Sequence, residues 1–345
     1  MANRLDDLRY LHQHDPQDAL GVAEHVWQQL QVVFDIDLSG LSAVENVVFA
    51  GMGGSALPAA FIASWPGTFV PFELVRDYTV PSYVNSKTLF VASSYSGNTE
   101  EVLSALAAAE AAGAQIVVIS AGGALATIAA AEQYPLLKIP SGIAPRMSTM
   151  AFLRAIVYVL ESCDLCKKGS FDELGSLANW LKSELASLRP DVPSAHNVAK
   201  ELALEMAGTT VIIYSGPKLF PAAHRLKICI NESAKNLAWS NQYSEFNHNE
   251  FVGWSSHPVE KPFSVVEVRS SFEHERIQKR FDVSERLLSG MRPHPIVVEP
   301  HGDTLLAQLL WTVSLGDFTS IYLAFLNGVD PTPIDLVEKL KIELG

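Results

Sequence analysis

Between Ser93 and Glu101 the chain reads Ser-Ser-Tyr-Ser-Gly-Asn-Thr-Glu-Glu. An apolar run, Thr88–Ala92, precedes it and reads as a buried strand. Val102–Ala112, rich in Ala, Leu and Glu, follows it and reads as a helix ending near Gly113. The hydroxyls of Ser94, Ser96 and Thr99 therefore fall on a strand-to-helix turn. Such a turn aims free backbone N–H groups and the positive end of a helix dipole at one spot, where a phosphate can settle. Gly97 lets the backbone come close, and small hydroxyls add donors without filling the space. The plainer role of the same residues is an N-cap, Asn98 or Thr99, over a first turn carrying Glu100 and Glu101.

Other residues offer chemistry in smaller groups. Gly51-Met-Gly-Gly-Ser55 follows another apolar strand. It is not the dinucleotide pattern GxGxxG, and Asp77, just past Arg76, is a poor candidate for a ribose contact, so the signal for a dinucleotide site is weak. Gly53, Gly54 and Ser55 can instead give backbone N–H groups and a hydroxyl to a sugar, or simply form a tight turn. Arg146, after Pro145 and between a strand and a long helix, sits where ligands collect in α/β sheets. It suits neutralising an oxyanion, or a structural salt bridge. Asn231-Glu232 is read near a helix start. Glu232 stands among Ile228, Cys229, Ile230 and Leu237, surroundings that raise a carboxylate pKa and suit a base taking a proton from carbon. His248, within Ser244-Glu-Phe-Asn-His-Asn-Glu250, can move a proton between sugar oxygens near neutral pH, or tie a loop. Lys341 lies on a last helix, where one of Lys339 and Lys341 faces the body. His248 and Glu250 are two apart and no HxxxH occurs, so no metal site is expected.

These residues need a scaffold. At 345 residues about two domains are expected. With 48% hydrophobic and 18% charged residues, a substantial core is available. A formal charge of −13 argues against nonspecific nucleic-acid binding and requires local groups to hold an anion. The three cysteines, Cys163, Cys166 and Cys229, fit a reducing, cytoplasmic setting; the lone CxxC is read as packing before redox or zinc. No signal pattern opens the chain, and no apolar run is read as membrane-spanning. Residues 1–40 show helical spacing. From Val44 the pattern strand–turn–helix repeats, ending in a long helix near Met147–Glu161. After a break and a helix at Leu177–Leu188 it recurs: strands at Thr210–Tyr214, Phe263–Arg269 and Pro295–Glu299, and helices at Pro221–Cys229, Glu273–Leu288 and Thr304–Asn327. Such alternation implies two similar α/β domains with parallel sheets flanked by helices. Only the first carries the hydroxyl-rich turn; the second has Val268-Arg269-Ser270-Ser271-Phe272 instead.

Taken together, Gly51–Ser55, Ser94–Thr99, Pro145-Arg146, Asn231-Glu232 with Lys235, Glu245–Glu250 and Asp330-Pro through Leu340-Lys341 resemble the bifunctional phosphoglucose/phosphomannose isomerases, a branch of the sugar isomerase (SIS) superfamily. The resemblance implies N-terminal helices over 1–40, a phosphate-binding SIS domain over 41–165, a helical linker over 166–194 and a second SIS domain over 195–345. It implies cofactor-free, metal-free aldose–ketose isomerisation in a homodimer with active sites at the subunit interface. In that frame Ser55, Ser94, Ser96 and Thr99, with Gly53 and Gly54, hold the phosphate. Glu232 shuttles the proton between C1 and C2, and Arg146 stabilises the cis-enediolate. His248, from the neighbouring subunit, assists ring opening, and Lys341 acts on the ring-oxygen side. Departures fall at the sugar end: Ala56 for a glycine, and a bulkier Met147-Ser-Thr-Met150; Thr332 lies near this end. The competing reading is a non-catalytic sugar-phosphate-binding SIS protein, though the DNA-binding head usual for that role is not seen.

Overall fold

The computed structural model describes residues 4–256 and 262–344, except that the side chains of Lys341 and Leu344 lie outside the description. The chain divides into two compact units, one of residues 25–180 and one of residues 1–24 with 181–345.

In the unit of residues 25–180, five strands form a wholly parallel sheet: β1 (Asn46–Gly51), β2 (Phe72–Val75), β3 (Thr88–Ser94), β4 (Gln115–Ser120) and β5 (Leu136–Lys138), in the order β2-β1-β3-β4-β5. The central strand β3 is buried at every position, which is why it reads as a continuous apolar run: helices cover both faces of a parallel sheet. The helices include α1 (Gly53–Phe61), α2 (Glu100–Ala111), α3 (Gly123–Glu132) and α4 (Thr149–Ser162). Register decides what meets at the carboxyl edge. Gly51 pairs with Ser93 and Ser94 with Ser120, so the turns after β1, β3 and β4 emerge side by side.

The other unit holds a four-stranded parallel sheet, β7-β6-β8-β9, from β6 (Thr210–Ser215), β7 (Ala238–Gln242), β8 (Phe263–Val268) and β9 (Ile296–Val298). Its helices include α5 (Val198–Met206), α6 (Phe220–Glu232), α7 (Glu275–Leu287), α8 (Leu305–Leu326) and α9 (Asp335–Leu344). The two sheets share one strand order, so the α/β architecture of two similar halves is as expected. Short helices Leu8–His14 and Ala19–Glu24 belong to this unit, where the Tyr10 hydroxyl donates to the Phe325 carbonyl at 2.6 Å.

Two expectations are corrected. Helix α8, 22 residues with mean hydropathy 1.4, does have the length and composition to cross a membrane, but 94% of that stretch is buried inside the fold. It is the core helix of its unit, packed against α5 and α6. It even carries a charge: Asp317 accepts from Arg225 Nη2 at 2.7 Å, and both residues are buried. Burial works against the charged guanidinium, yet Asp317, Cys229 and Glu232 outweigh it and hold the Arg225 pKa above its ordinary value. The second correction is β7. Its sequence, Ala-Trp-Ser-Asn-Gln, is mostly polar and half-exposed because it is the sheet's edge strand.

Cys163 and Cys166 close α4 and the turn after it, and burial, chiefly, pushes both thiols up to about 11. Neutral thiols are poor nucleophiles, in keeping with packing as their role.

Candidate functional site

Three turns of the unit of residues 25–180 are bound to one another at the carboxyl edge of its sheet. In the turn after β1, Gly53 has φ +49°. Gly54 is a glycine for lack of room: a Cβ there would stand 2.9 Å from the Arg146 N and Cα atoms and from the Pro145 carbonyl carbon. Ser55 is buried, and its Oγ accepts from the Tyr95 N–H at 2.9 Å, joining the first turn to the second.

In the second turn Ser94 is the hub. Its Oγ lies 2.7 Å from Thr99 Oγ1 and 3.5 Å from Ser96 Oγ, and accepts from the Gly97 N–H at 3.1 Å. Gly97 has φ +70°, and a Cβ there would overlap the Gly122 carbonyl oxygen, 1.8 Å away. Thr99 holds the N-cap position of α2, but its hydroxyl is turned to Ser94 and no side chain caps the helix. Asn98 does not cap it either; its Oδ1 accepts from Ala124 N–H at 2.9 Å. The capping expectation is thus corrected. Among the described residues the amides of the first turn of α2 have no side-chain acceptor, and the hydroxyls of Ser94, Ser96 and Thr99 lie on the turn that leads into them. This neutral, donor-rich arrangement is suited to an anion.

The third turn carries Arg146, 3% exposed, in the 3-10 turn Pro145–Ser148. Tyr95 reaches across with its hydroxyl accepting from the Ile143 N–H at 3.1 Å. Gln29 clamps the far side: its Nε2 donates to the Met147 carbonyl at 2.7 Å and its Oε1 accepts from Ala151 N–H at 3.1 Å. The unit therefore brings Gly53, Gly54, Ser55, Ser94, Ser96, Thr99 and Arg146 together. Sequence reasoning passed over Tyr95 and Gln29 as positioning groups. Tyr95 had a signal, a large hydroxyl amid small turn residues; Gln29 had none. Ala56, Met147 and Met150 are buried in the core, so their size is matched to packing.

In the other unit Glu232 is the last residue of α6, half-buried, and not near a helix start as the sequence suggested. His248 ends the 3-10 turn Glu245–His248 and is exposed. The two lie on either side of β7, Glu232 before Ala238 and His248 after Gln242. Five residues of strand, about 16 Å, run between them. Lys341 falls in α9, and its side chain lies outside the described residues. Lys235 Nζ donates to the Ser233 carbonyl at 3.2 Å and the Asp330 carbonyl at 2.5 Å, tying the end of α6 to the segment before α9.

Side chains of this unit stand just before α6 and at the start of α7. Glu273 Oε1 accepts from the Lys218 N–H at 2.7 Å and the Leu219 N–H at 3.4 Å, beside Gly216, where a Cβ would stand 2.3 Å from the Glu273 carboxyl carbon. His274 Nδ1 caps α7 by accepting from Arg276 N–H at 3.1 Å. Ser270 and Ser271 are bonded to Gln308. In the turn after β8 the hydroxyls of Ser270 and Ser271 are thus engaged with the rest of the fold, unlike those of the turn after β3, which bond one another.

Residues 195–344 match the family model of the bacterial phospho-glucose isomerase C-terminal SIS domain. A bifunctional phosphoglucose/phosphomannose isomerase of Caldicellulosiruptor bescii is 35% identical over 307 residues, 88% of this chain and 90% of that protein. One from Aquifex aeolicus is 33% identical over 88% of this chain and 92% of its own length. In fold, the chain is similar to a glucose-6-phosphate isomerase like protein from Thermus thermophilus, with TM-score 0.64 and 19% identity over 96% of this chain and 99% of the other. An uncapped, hydroxyl-ringed helix start in one α/β unit and an Asn-Glu and Asn-His-Asn-Glu pair in the other, carried on a sequence alike over nearly its whole length, have one conclusion: the chain belongs to the bifunctional phosphoglucose/phosphomannose isomerase family.

Proposed function

We propose that this protein is a metal-independent aldose–ketose isomerase that interconverts glucose 6-phosphate, and mannose 6-phosphate, with fructose 6-phosphate through a cis-enediolate. The observation that carries the reading is the start of α2, left without a side-chain cap and ringed by Ser94, Ser96 and Thr99 in a chain of this family. Hydroxyls and main-chain amides there hold the phosphate, with Ser55, Gly53 and Gly54 shaping the wall. A neutral cradle suits an acidic chain, since it needs no cation beyond Arg146 to accept a dianion.

The phosphate end being fixed, the chemistry is a proton moved between C1 and C2. Glu232 is the base that takes and returns it. Arg146, a delocalised and permanently charged cation, faces the oxyanion that develops on the enediolate. His248 opens the ring and Lys341 acts at the ring-oxygen side. In a homodimer, His248 serves the neighbouring subunit's site. The setting is the cytoplasm, and no nucleic acid or membrane takes part.

The test is turnover by purified protein in EDTA, with each aldose phosphate supplied in turn. Conversion of both to fructose 6-phosphate is expected. Binding of either without turnover, in folded protein, refutes the isomerase reading in favour of a sugar-phosphate sensor. Activity that chelation removes refutes the metal-independent route.

A further inference from the structure

We propose that Glu250, held by Tyr214, is the positioning residue for His248: it bolts the Glu245–Glu250 turn to β6 so that the imidazole is presented in one place. The inference rests on the reading of His248 as the ring-opening group. Its basis is an anchoring pattern from which His248 alone is spared.

Around His248 each residue of the turn is tied down. Phe246 is fully buried, its ring 4.4 Å from that of Tyr214 and 5.0 Å from that of Tyr243. Asn247 Nδ2 donates to Ser284 Oγ at 2.9 Å and its Oδ1 accepts from Arg280 Nη1 at 3.1 Å. Asn249 Nδ2 donates to Glu245 Oε1 at 2.5 Å, and its Oδ1 accepts from the Glu250 N–H at 2.6 Å. Glu250 Oε1 accepts from the Tyr214 hydroxyl and Oε2 accepts from Asn241 Nδ2 at 2.7 Å. Among the described residues no hydrogen bond or ion pair involves the His248 side chain, which is exposed.

The direction of the network is fixed by its first donor. An indole N–H can only donate, so Tyr214 Oη accepts from Trp254 Nε1 at 3.0 Å. The single phenolic proton then goes to Glu250. Burial first, and Glu250 next, push the Tyr214 pKa far above its ordinary value, so that proton stays in place. Glu250, accepting at both oxygens, ends the chain of donors. It lies two residues beyond His248 and acts on it through the backbone of the turn.

A double-mutant cycle with Tyr214→Phe and His248→Asn tests this, because Phe keeps the buried ring and removes the hydroxyl that joins Trp254 to Glu250, and the cycle cancels what the lost Trp254 bond costs the fold. Tyr214→Phe is expected to lower kcat about ten-fold with KM within two-fold of wild type, the scale of a small displacement of a reacting group. In the His248→Asn background the same change is expected to cost nothing further. Equal losses in both backgrounds overturn the inference alone, since Tyr214 would then act on the fold and not on His248. Full activity of His248→Asn overturns the reading of His248, and the inference with it. If Tyr214→Phe does not fold by circular dichroism, Asn241→Ala, which frees only Oε2, takes its place in the same cycle.

Discussion

Gly54→Ala isolates what the close approach of two turns does for the reaction. The added Cβ would stand 2.9 Å from three backbone atoms of Pro145 and Arg146. Comfortable contact between carbon atoms is about 3.5–4.0 Å, so the Pro145–Ser148 turn must retreat by roughly 0.6–1 Å. No side-chain rotation can absorb this, because every crowded atom is main chain. Overpacking of this kind costs about 1–3 kcal/mol of stability. A displacement of about 1 Å in a group facing the reaction costs on the order of 100-fold in rate. Gly54→Ala is therefore expected to keep KM near wild type, because Ser94, Ser96 and Thr99 are on a different turn, and to lose about 10- to 100-fold in kcat. Gly53 is the control. It has φ +49° but no atom within 4 Å of a built Cβ, so Gly53→Ala carries a conformational cost of about 1–2 kcal/mol without pushing on Arg146. Asn, which tolerates the left-handed region, costs less there. The assay couples glucose 6-phosphate formation to a dehydrogenase, with urea unfolding run beside it. Wild-type kcat in folded Gly54→Ala, or equal losses of kcat at both glycines, would refute the assignment of Arg146 to the oxyanion.

Glu232→Gln is expected to keep sugar-phosphate binding and to abolish exchange of the C2 proton with deuterated solvent; retained exchange would exclude Glu232 as the base. Asp317→Asn leaves the buried Arg225 without its carboxylate and is expected to cost about 3–5 kcal/mol in urea unfolding, with a cost below about 1 kcal/mol refuting the pairing argument. Burial, the largest influence, raises the Glu273 pKa above 4.5 against the opposing pull of the Lys218 and Leu219 N–H groups. A raised folded-state carboxyl favours the fold at acid pH, and that contribution is lost as pH rises through the folded value. Glu273→Gln, which keeps an acceptor, is thus expected to match or exceed wild-type stability at pH 7 and to lose that margin at pH 4. A variant less stable than wild type at pH 7 would contradict the sign.

Where burial is complete on both faces, composition and structure agree closely: β4 runs Gln115–Ser120 in both, and β3 extends the expected strand by only two serines. The hydroxyl-rich turn is similarly legible, because its chemistry is local to six residues. What escaped depends on distant partners. Strand β7 is polar because an edge strand need bury little, so Ala238–Gln242 carries no periodic signal. Asn231-Glu232-Ser233 looks like a helix start because Asn and Ser favour N-caps, yet tertiary packing carries α6 through to Glu232. Gln29 supports the Arg146 turn from more than a hundred residues away, and no local pattern marks it.

The two sheets share the strand order 2-1-3-4, yet α2 and α7, the helices after β3 and β8, start in opposite ways. An exposed helix start attracts whichever acceptor is nearest. In the unit holding β6, that acceptor is part of the protein: Glu273 reaches the Lys218 and Leu219 amides, and His274 caps α7. A tethered carboxylate is always present, whereas a sugar phosphate must arrive from dilute solution against a net charge of −13. The internal acceptor therefore wins there. In the unit holding β3, the residue at the same structural position is Thr99, whose hydroxyl is bonded to Ser94 and leaves the amides of α2 to an outside acceptor. The likeness of the two folds thus does not entail two sites. The difference lies in the side chains that the turns after β3 and β8 turn inward or away, Thr99 bonded to Ser94 in one and His274 capping α7 in the other.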